Sequence, residues 1–271
     1  MNDLLIALLL GVIEGLTEFL PISSTGHLLI AQHWLGRQSD LFNIVIQSGA
    51  ILALVLVFRA RLRALATAWR QPEQLDYLIK LGVAFAVTAV VGIPVRLLGW
   101  ELPETVTPVA IALIVGGVAM LAIERIVEAR RATFDTARAA AQTIGWNVAV
   151  WVGLAQVFAG VFPGTSRSAA AIFAAMLAGA LARPAAAEFA FLLGIPTMFA
   201  ASAFALLEYA TTPAAPREDW GALAVAFIAA AATGFVVVRW LMNWIKQRSF
   251  APFAWYRIAL GAGLLLFLPG R

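Results

Sequence analysis

The chemistry of this chain is concentrated in Glu14-Gly15-Leu16-Thr17-Glu18-Phe19-Leu20-Pro21-Ile22-Ser23-Ser24-Thr25-Gly26-His27. There, two carboxylates, a run of hydroxyls, a glycine and an imidazole interrupt an otherwise apolar segment. Each ionisable group inside such a segment costs about 2.5 to 3.5 kcal/mol on insertion scales, so a cluster of them marks a site. Glu14 and Glu18 are four residues apart, which puts both on one face of a helix. Taken alone, the pair fits a polar stripe on an interfacial helix as well as it fits catalysis. Ser23, Ser24, Thr25 and Gly26 decide between the two, because capping a helix uses one hydroxyl and leaves the others to hold or meet an anion. Two carboxylates beside a phosphate would repel it unless they bind a divalent cation, Mg²⁺ or Ca²⁺, or one of them holds a proton. Glu14 and Glu18 are therefore expected as metal ligands or acid–base groups. His27, one turn into the next helix, is expected to move a proton beside them.

A second polar cluster, Phe162-Pro163-Gly164-Thr165-Ser166-Arg167-Ser168, lies far along the chain. Arg167 stands at the mouth of a broken apolar helix, where its guanidinium matches phosphate oxygens bidentately. The competing expectation is an ion pair with Glu14 or Glu18, which would also bring the two clusters together. Ser23, Thr25, Gly26, Gly164, Thr165, Ser166 and Ser168 are expected to bind the anion through hydroxyls and unpaired backbone N–H groups. Arg257, a few residues into the last apolar segment, is expected either to reach the same anion or to snorkel to the interface. Glu188 suits a helix N-terminal charge or a partner for an arginine, and Asn43 and Gln47 suit interhelical hydrogen bonds.

The elements that must position these groups are membrane helices. Of 271 residues, 62% are hydrophobic and 13% charged, and the mean hydropathy is +0.88, more apolar than a soluble domain of this size could cover. The expected fold is all-α, a polytopic membrane protein forming one integral domain over 1–271. Proline splits two segments into re-entrant hairpins, 3–19 with 22–36 and 141–161 with 164–181. Six full spans are expected at about 41–58, 78–99, 107–127, 186–208, 219–243 and 252–269. The net charge of +4 comes from arginines in short loops, which orient a membrane protein and do not indicate nucleic acid. Arg59, Arg61, Arg63, Arg70, Arg125, Arg130, Arg131, Arg138 and Arg183 fall on one set of loops; Glu101, Glu104 and Arg217 fall on the other. The arginine-rich set is therefore expected to be cytoplasmic, so the two hairpins enter from opposite sides as an inverted repeat, about 1–99 and 141–243. Laid on 152–166 without a gap, residues 10–24 place Pro21 on Pro163 and Ser24 on Ser166. The chain has no cysteine, which excludes disulfides and thiolate metal sites, and its N-terminus lacks the pattern of a cleaved signal peptide.

The motifs at 14–27 and 162–168, with Gln47-Ser48-Gly49-Ala50, Glu188-Phe189 and Tyr256-Arg257, resemble the undecaprenyl diphosphate phosphatases, also called bacitracin resistance proteins. The resemblance covers essentially the whole chain. It implies a multi-pass hydrolase of the bacterial inner membrane, with its site opening to the periplasmic side. Such an enzyme removes the terminal phosphate of undecaprenyl diphosphate to recycle the lipid carrier of peptidoglycan precursors. Glu14, Glu18, Ser24, His27, Ser166, Arg167 and Arg257 are the functional positions the resemblance carries over. Two positions depart from the family pattern: Ala171 stands where a threonine is usual, and Asn43 where an acidic residue is expected.

The nucleophile is expected to be Ser24 assisted by His27, with His27 itself or a glutamate-activated water as alternatives. The expected partners are the polyprenyl diphosphate lipid and membrane lipids, and a homodimer is compatible with the chain. A transporter or flippase of a polyprenyl phosphate would use the same inverted repeat and arginine without liberating phosphate. A phosphatidic acid phosphatase-type enzyme shares Ser-x-Gly-His, but the lysine and late histidine it needs are missing here.

Overall fold

The computed structural model describes residues 2–99, 105–133, 144–179, 182–212 and 218–268, of which 131–133 are described by their backbone alone. Glu101, Glu104, Arg138, Arg217 and the side chain of Arg131 thus lie outside the described residues. Every regular element among the described residues is an α-helix, as an apolar chain must pair its own backbone polar groups wherever no water can do so.

The elements are α1 (Asp3–Thr17), α2 (Ser24–Leu35), α3 (Asp40–Val57), α4 (Arg59–Thr67), α5 (Pro72–Leu97), α6 (Val106–Thr133), α7 (Trp146–Val161), α8 (Arg167–Ala178), α9 (Arg183–Thr211), α10 (Trp220–Trp244) and α11 (Ala251–Phe267). Five of them, α3, α5, α6, α9 and α10, are long and apolar enough to cross a membrane. The expected sixth span, α11, has 17 residues, fewer than the roughly 20 of a full crossing. The four hairpin pieces α1, α2, α7 and α8 have 15, 12, 16 and 12 residues, the half-length range expected. One helix was not expected. Arg59, Arg61 and Arg63 sit on α4, where alanine, leucine and arginine are all strong helix formers.

Packing brings sequence-distant helices together. α1 lies along α10, α10 along α3, α3 along α9, α7 along α5 and α8, and α6 along α11. The main apolar core runs through Phe19, Leu54, Phe189, Leu193 and Phe250. At one end, Glu124 of α6 accepts from Arg183 at the start of α9 and from the Phe250 N–H (2.9 Å) at the start of α11. That bond fixes α11 on α6.

Candidate active site

Each broken hairpin turns on a serine. Ser23 caps α2 with its Oγ accepting from the Gly26 N–H (3.3 Å), and Ser166 caps α8 in the same way from the Ala169 N–H (3.3 Å). Among the described residues, these two are the only non-glycines with positive φ, 73° and 69°, in a region that L-residues occupy only under strain. The equivalent pair is therefore Ser23 with Ser166. The gapless alignment that set Ser24 on Ser166 is off by one, because the turn after Pro163 holds one residue more than the turn after Pro21. Arg167 occupies the position equivalent to Ser24. Gly164 supplies the extra residue: its φ is +87°, and a Cβ there would lie 2.8 Å from the Val109 carbonyl of α6.

The two turns meet. Ser168 Oγ, itself 3.1 Å from Ser166 Oγ, donates to the Leu20 carbonyl at 3.2 Å, joining the second loop to the first. Glu14, on α1, is fully buried; no N–H or hydroxyl donor reaches its carboxylate oxygens, and the neighbouring Glu18 carboxyl is close enough to share a hydrogen with it. The charges close enough to act on it are Glu18 and Arg167. Arg167 has no carboxylate within ion-pair distance among the described residues, so the direct pair with Glu14 or Glu18 does not form. Ser24 Oγ donates to Glu18 Oε2 at 2.5 Å. A buried carboxyl, a hydroxyl already bonded to a second carboxylate, and a guanidinium without an ion-pair partner thus come together from loops far apart in the sequence. A polar group buried without its full hydrogen bonding is costly unless a ligand completes it.

Arg257 departs from the interfacial position considered for it. It is 0% exposed, and its guanidinium is spent on main-chain carbonyls. Nη1 donates to Thr165 (2.9 Å) and Pro21 (3.4 Å), Nη2 to Ala112 (3.0 Å) and Gly164 (3.1 Å), and Nε to Leu113 (3.4 Å). An arginine has five N–H donors, and all five are accounted for, so no donor remains for a substrate. A helix broken in an apolar interior leaves carbonyls without partners. Arg257 supplies them to both loops at once. Gly116 makes room, since a Cβ there would overlap the guanidinium.

His27 Nδ1 lies 2.7 Å from the Ser23 carbonyl and Nε2 lies 2.7 Å from the Tyr256 hydroxyl. Thr25 borders a polar cavity of about 320 Å³ shared with Gln47 and Asn43, and Asn43 Oδ1 accepts from Gln32 Nε2 (2.7 Å). Thr165 and Pro163 border a larger, almost wholly apolar cavity of about 880 Å³ between α6, α7 and α8. Ala171 is buried in the main core, so a threonine hydroxyl at 171 would start from the core side of α8. Glu188 is remote from these groups, bonded to Arg61 (3.0 Å), which also reaches Gln74 and lies over the Tyr77 ring.

No cluster of three or more His, Cys, Asp or Glu able to hold a cation exists among the described residues. Glu14, which no donor group reaches, and Glu18 nonetheless fit a Mg²⁺-type site, which takes one or two carboxylates and completes its shell with water and phosphate.

Sequence reasoning missed Tyr256 as a neighbour of His27 and Gly116 as the space for Arg257. The signals were a tyrosine–arginine pair in the last apolar helix and a Gly-Gly step in α6.

Five helices of membrane-crossing length packed round a cluster of buried polar groups define a helical membrane-class protein. The chain belongs to the bacitracin resistance protein BacA family, whose profile matches residues 7–263. It is 60% identical over 269 residues to an undecaprenyl-diphosphatase of Xanthomonas campestris pv. campestris (strain 8004), covering 99% of each chain. Against the undecaprenyl-diphosphatase of Stenotrophomonas maltophilia (strain R551-3) it is 64% identical over the same length and coverage. Against that of Xanthomonas axonopodis pv. citri (strain 306) it is 59% identical, covering 99% of this chain and 98% of the relative.

Proposed function

We propose that this protein is a membrane hydrolase that removes the terminal phosphate of undecaprenyl diphosphate, releasing undecaprenyl phosphate and inorganic phosphate. The observation that carries the reading is the Ser24–Glu18 bond at 2.5 Å, beside an Arg167 with no ion-pair partner among the described residues and a buried Glu14 that no donor group reaches. Ser24 Oγ attacks the terminal phosphorus while Glu18 takes its proton. The P–O anhydride bond breaks, and its electron pair stays on the oxygen of the departing lipid phosphate. Water then hydrolyses the phosphoserine, and Ser24 regains a hydrogen. Arg167 and the first N–H groups of α2 and α8 hold the phosphoryl oxygens, with the hydroxyls of Ser23, Thr25, Ser166 and Ser168 and the turns at Gly26, Gly164 and Thr165 shaping the cradle. Glu14 and Glu18 would hold a divalent cation, which neutralises diphosphate charge when bound. His27 assists through its fixed ring, and Arg257 holds both loops from behind. The lipid tail lies in the 880 Å³ apolar cavity, whose wall includes Thr165 of the cradle.

The same reading gives one integral membrane domain over 1–271, with α11 as a sixth crossing and the two hairpins re-entrant from opposite faces. Supporting the inverted repeat, α1 packs on α10 of the other half and α7 on α5, a reciprocal exchange. The protein would reside in the bacterial inner membrane with the pocket opening to the periplasm. Every group named comes from one chain, so the mechanism requires no second copy. Detergent-purified protein given undecaprenyl diphosphate with Mg²⁺, Ca²⁺ or chelator tests the proposal. Phosphate release that needs the cation supports it. A protein that carries polyprenyl phosphate across vesicles yet liberates no phosphate is a transporter, and the reading is then wrong.

A further inference from the structure

We infer that Tyr256 is a positioning residue, acting through His27 on the serine turn that carries Ser24. The functional side of this inference rests on the phosphatase reading above; its geometric side does not. A carbonyl oxygen only accepts, so the 2.7 Å contact with Ser23 places the hydrogen of the neutral imidazole on Nδ1. Nε2 is then an acceptor, and the Tyr256 hydroxyl at 2.7 Å donates to it. The two rings are also stacked, with centroids 5.6 Å apart and planes 7° from parallel. The imidazole is thus fixed in tautomer and in tilt from both ends.

The consequence reaches the reacting atom. The Ser23 carbonyl that His27 holds belongs to the residue with φ of 73°, and the next residue is Ser24, whose hydroxyl meets Glu18. A strained turn persists only when its surroundings over-determine it. Tyr256, His27 and the cap bond to Gly26 together do so. Because Glu18 already engages the Ser24 hydroxyl, His27 is not needed as its base. Its work is to hold the turn, and the phenol holds His27. Tyr256 comes from α11, one residue before Arg257, so a single helix turn braces the first loop from two directions.

Tyr256→Phe keeps the ring and removes one hydrogen bond. With undecaprenyl diphosphate as substrate, kcat is expected to fall about tenfold, the rate equivalent of about one hydrogen bond, with KM within about twofold. His27→Ala should lose more, and the double variant should lose no more than His27→Ala alone. Full kcat in Tyr256→Phe, or losses that multiply in the double variant, would overturn the inference. Selective ¹⁵N labelling of the chain's two histidines gives a readout independent of turnover. One imidazole should carry its hydrogen on Nδ1 in the wild type, with its Nε2 resonance moving in Tyr256→Phe. A His27 protonated on Nε2 alone sinks the inference, whatever the activity. If the Nδ1 tautomer is present but no phosphate is released, the positioning stands and the phosphatase reading falls.

Discussion

The two broken hairpins share a backbone and divide the chemistry. Both carry a proline shortly after a half-length helix ends, turn through a serine with φ near 70° and cap the returning helix with that serine's hydroxyl. The first loop then presents Ser24, Glu18 and His27, whereas the second presents Arg167 at the position equivalent to Ser24. Near the end of α1 the buried carboxylate is Glu14; in α7 the buried polar residue aligned with it is Gln156, an amide. One loop supplies the attacking and proton-accepting groups, and the other supplies the positive charge. Two copies of either loop would fail, because twice the carboxylates would repel a diphosphate and twice the arginine would leave nothing to attack it.

That division can be broken from either side. Arg167→Ala should abolish phosphate release, a loss of about 10³-fold or more, and Arg167→Lys should recover little because the planar fork is gone. Normal turnover in Arg167→Lys would show that the second loop contributes only charge. Next in size, Glu18→Gln should cost about 10²-fold in kcat by taking the proton acceptor from Ser24, while the purified protein keeps its melting temperature. A wild-type rate in that variant would remove the first loop's acid–base role.

Arg257→Ala tests what the loops share. It leaves carbonyls of both turns unpaired at about 1–3 kcal/mol each, so thermal stability and activity should fall together. An unchanged melting temperature would contradict the clamp. The smallest effect distinguishes the caps: Ser23→Ala and Ser166→Ala should each cost about 1 kcal/mol of stability, and glycine at either position only a few tenths, since it also relieves the positive φ. A Ser166→Gly variant as damaged as Ser166→Ala would argue that the hydroxyl binds something besides the Ala169 N–H.

Much of this was legible in the sequence because proline and buried charge are local signals. Pro21 and Pro163 marked the breaks, and the carboxylates and Arg167 marked, without any tertiary information, groups that the fold brings together. Register was not legible to the residue. Gapless alignment matched letters, but the cap bond to the third residue on defines equivalence, and Gly164 adds a residue that only its close approach to Val109 explains. The manner in which Arg257 reaches the site was hidden for a different reason. Its five partners are main-chain oxygens, which leave no trace in residue types, so a lone arginine in an apolar helix reads as one reaching for water. The arginines of α4 read as loop charges because the charge bias between apolar spans drew attention away from their helix propensity.

Arg257 lies in the last helix of the described chain, yet it closes both turns. Synthesis makes the first loop before the second and the second before α11, so the carbonyls of both turns that Arg257 pairs have no such donor until α11 is made. Closing of both turns is therefore tied to the arrival of α11. A nascent chain arrested before residue 257 should insert into the bilayer and remain inert, so the cell is spared a half-built hydrolase.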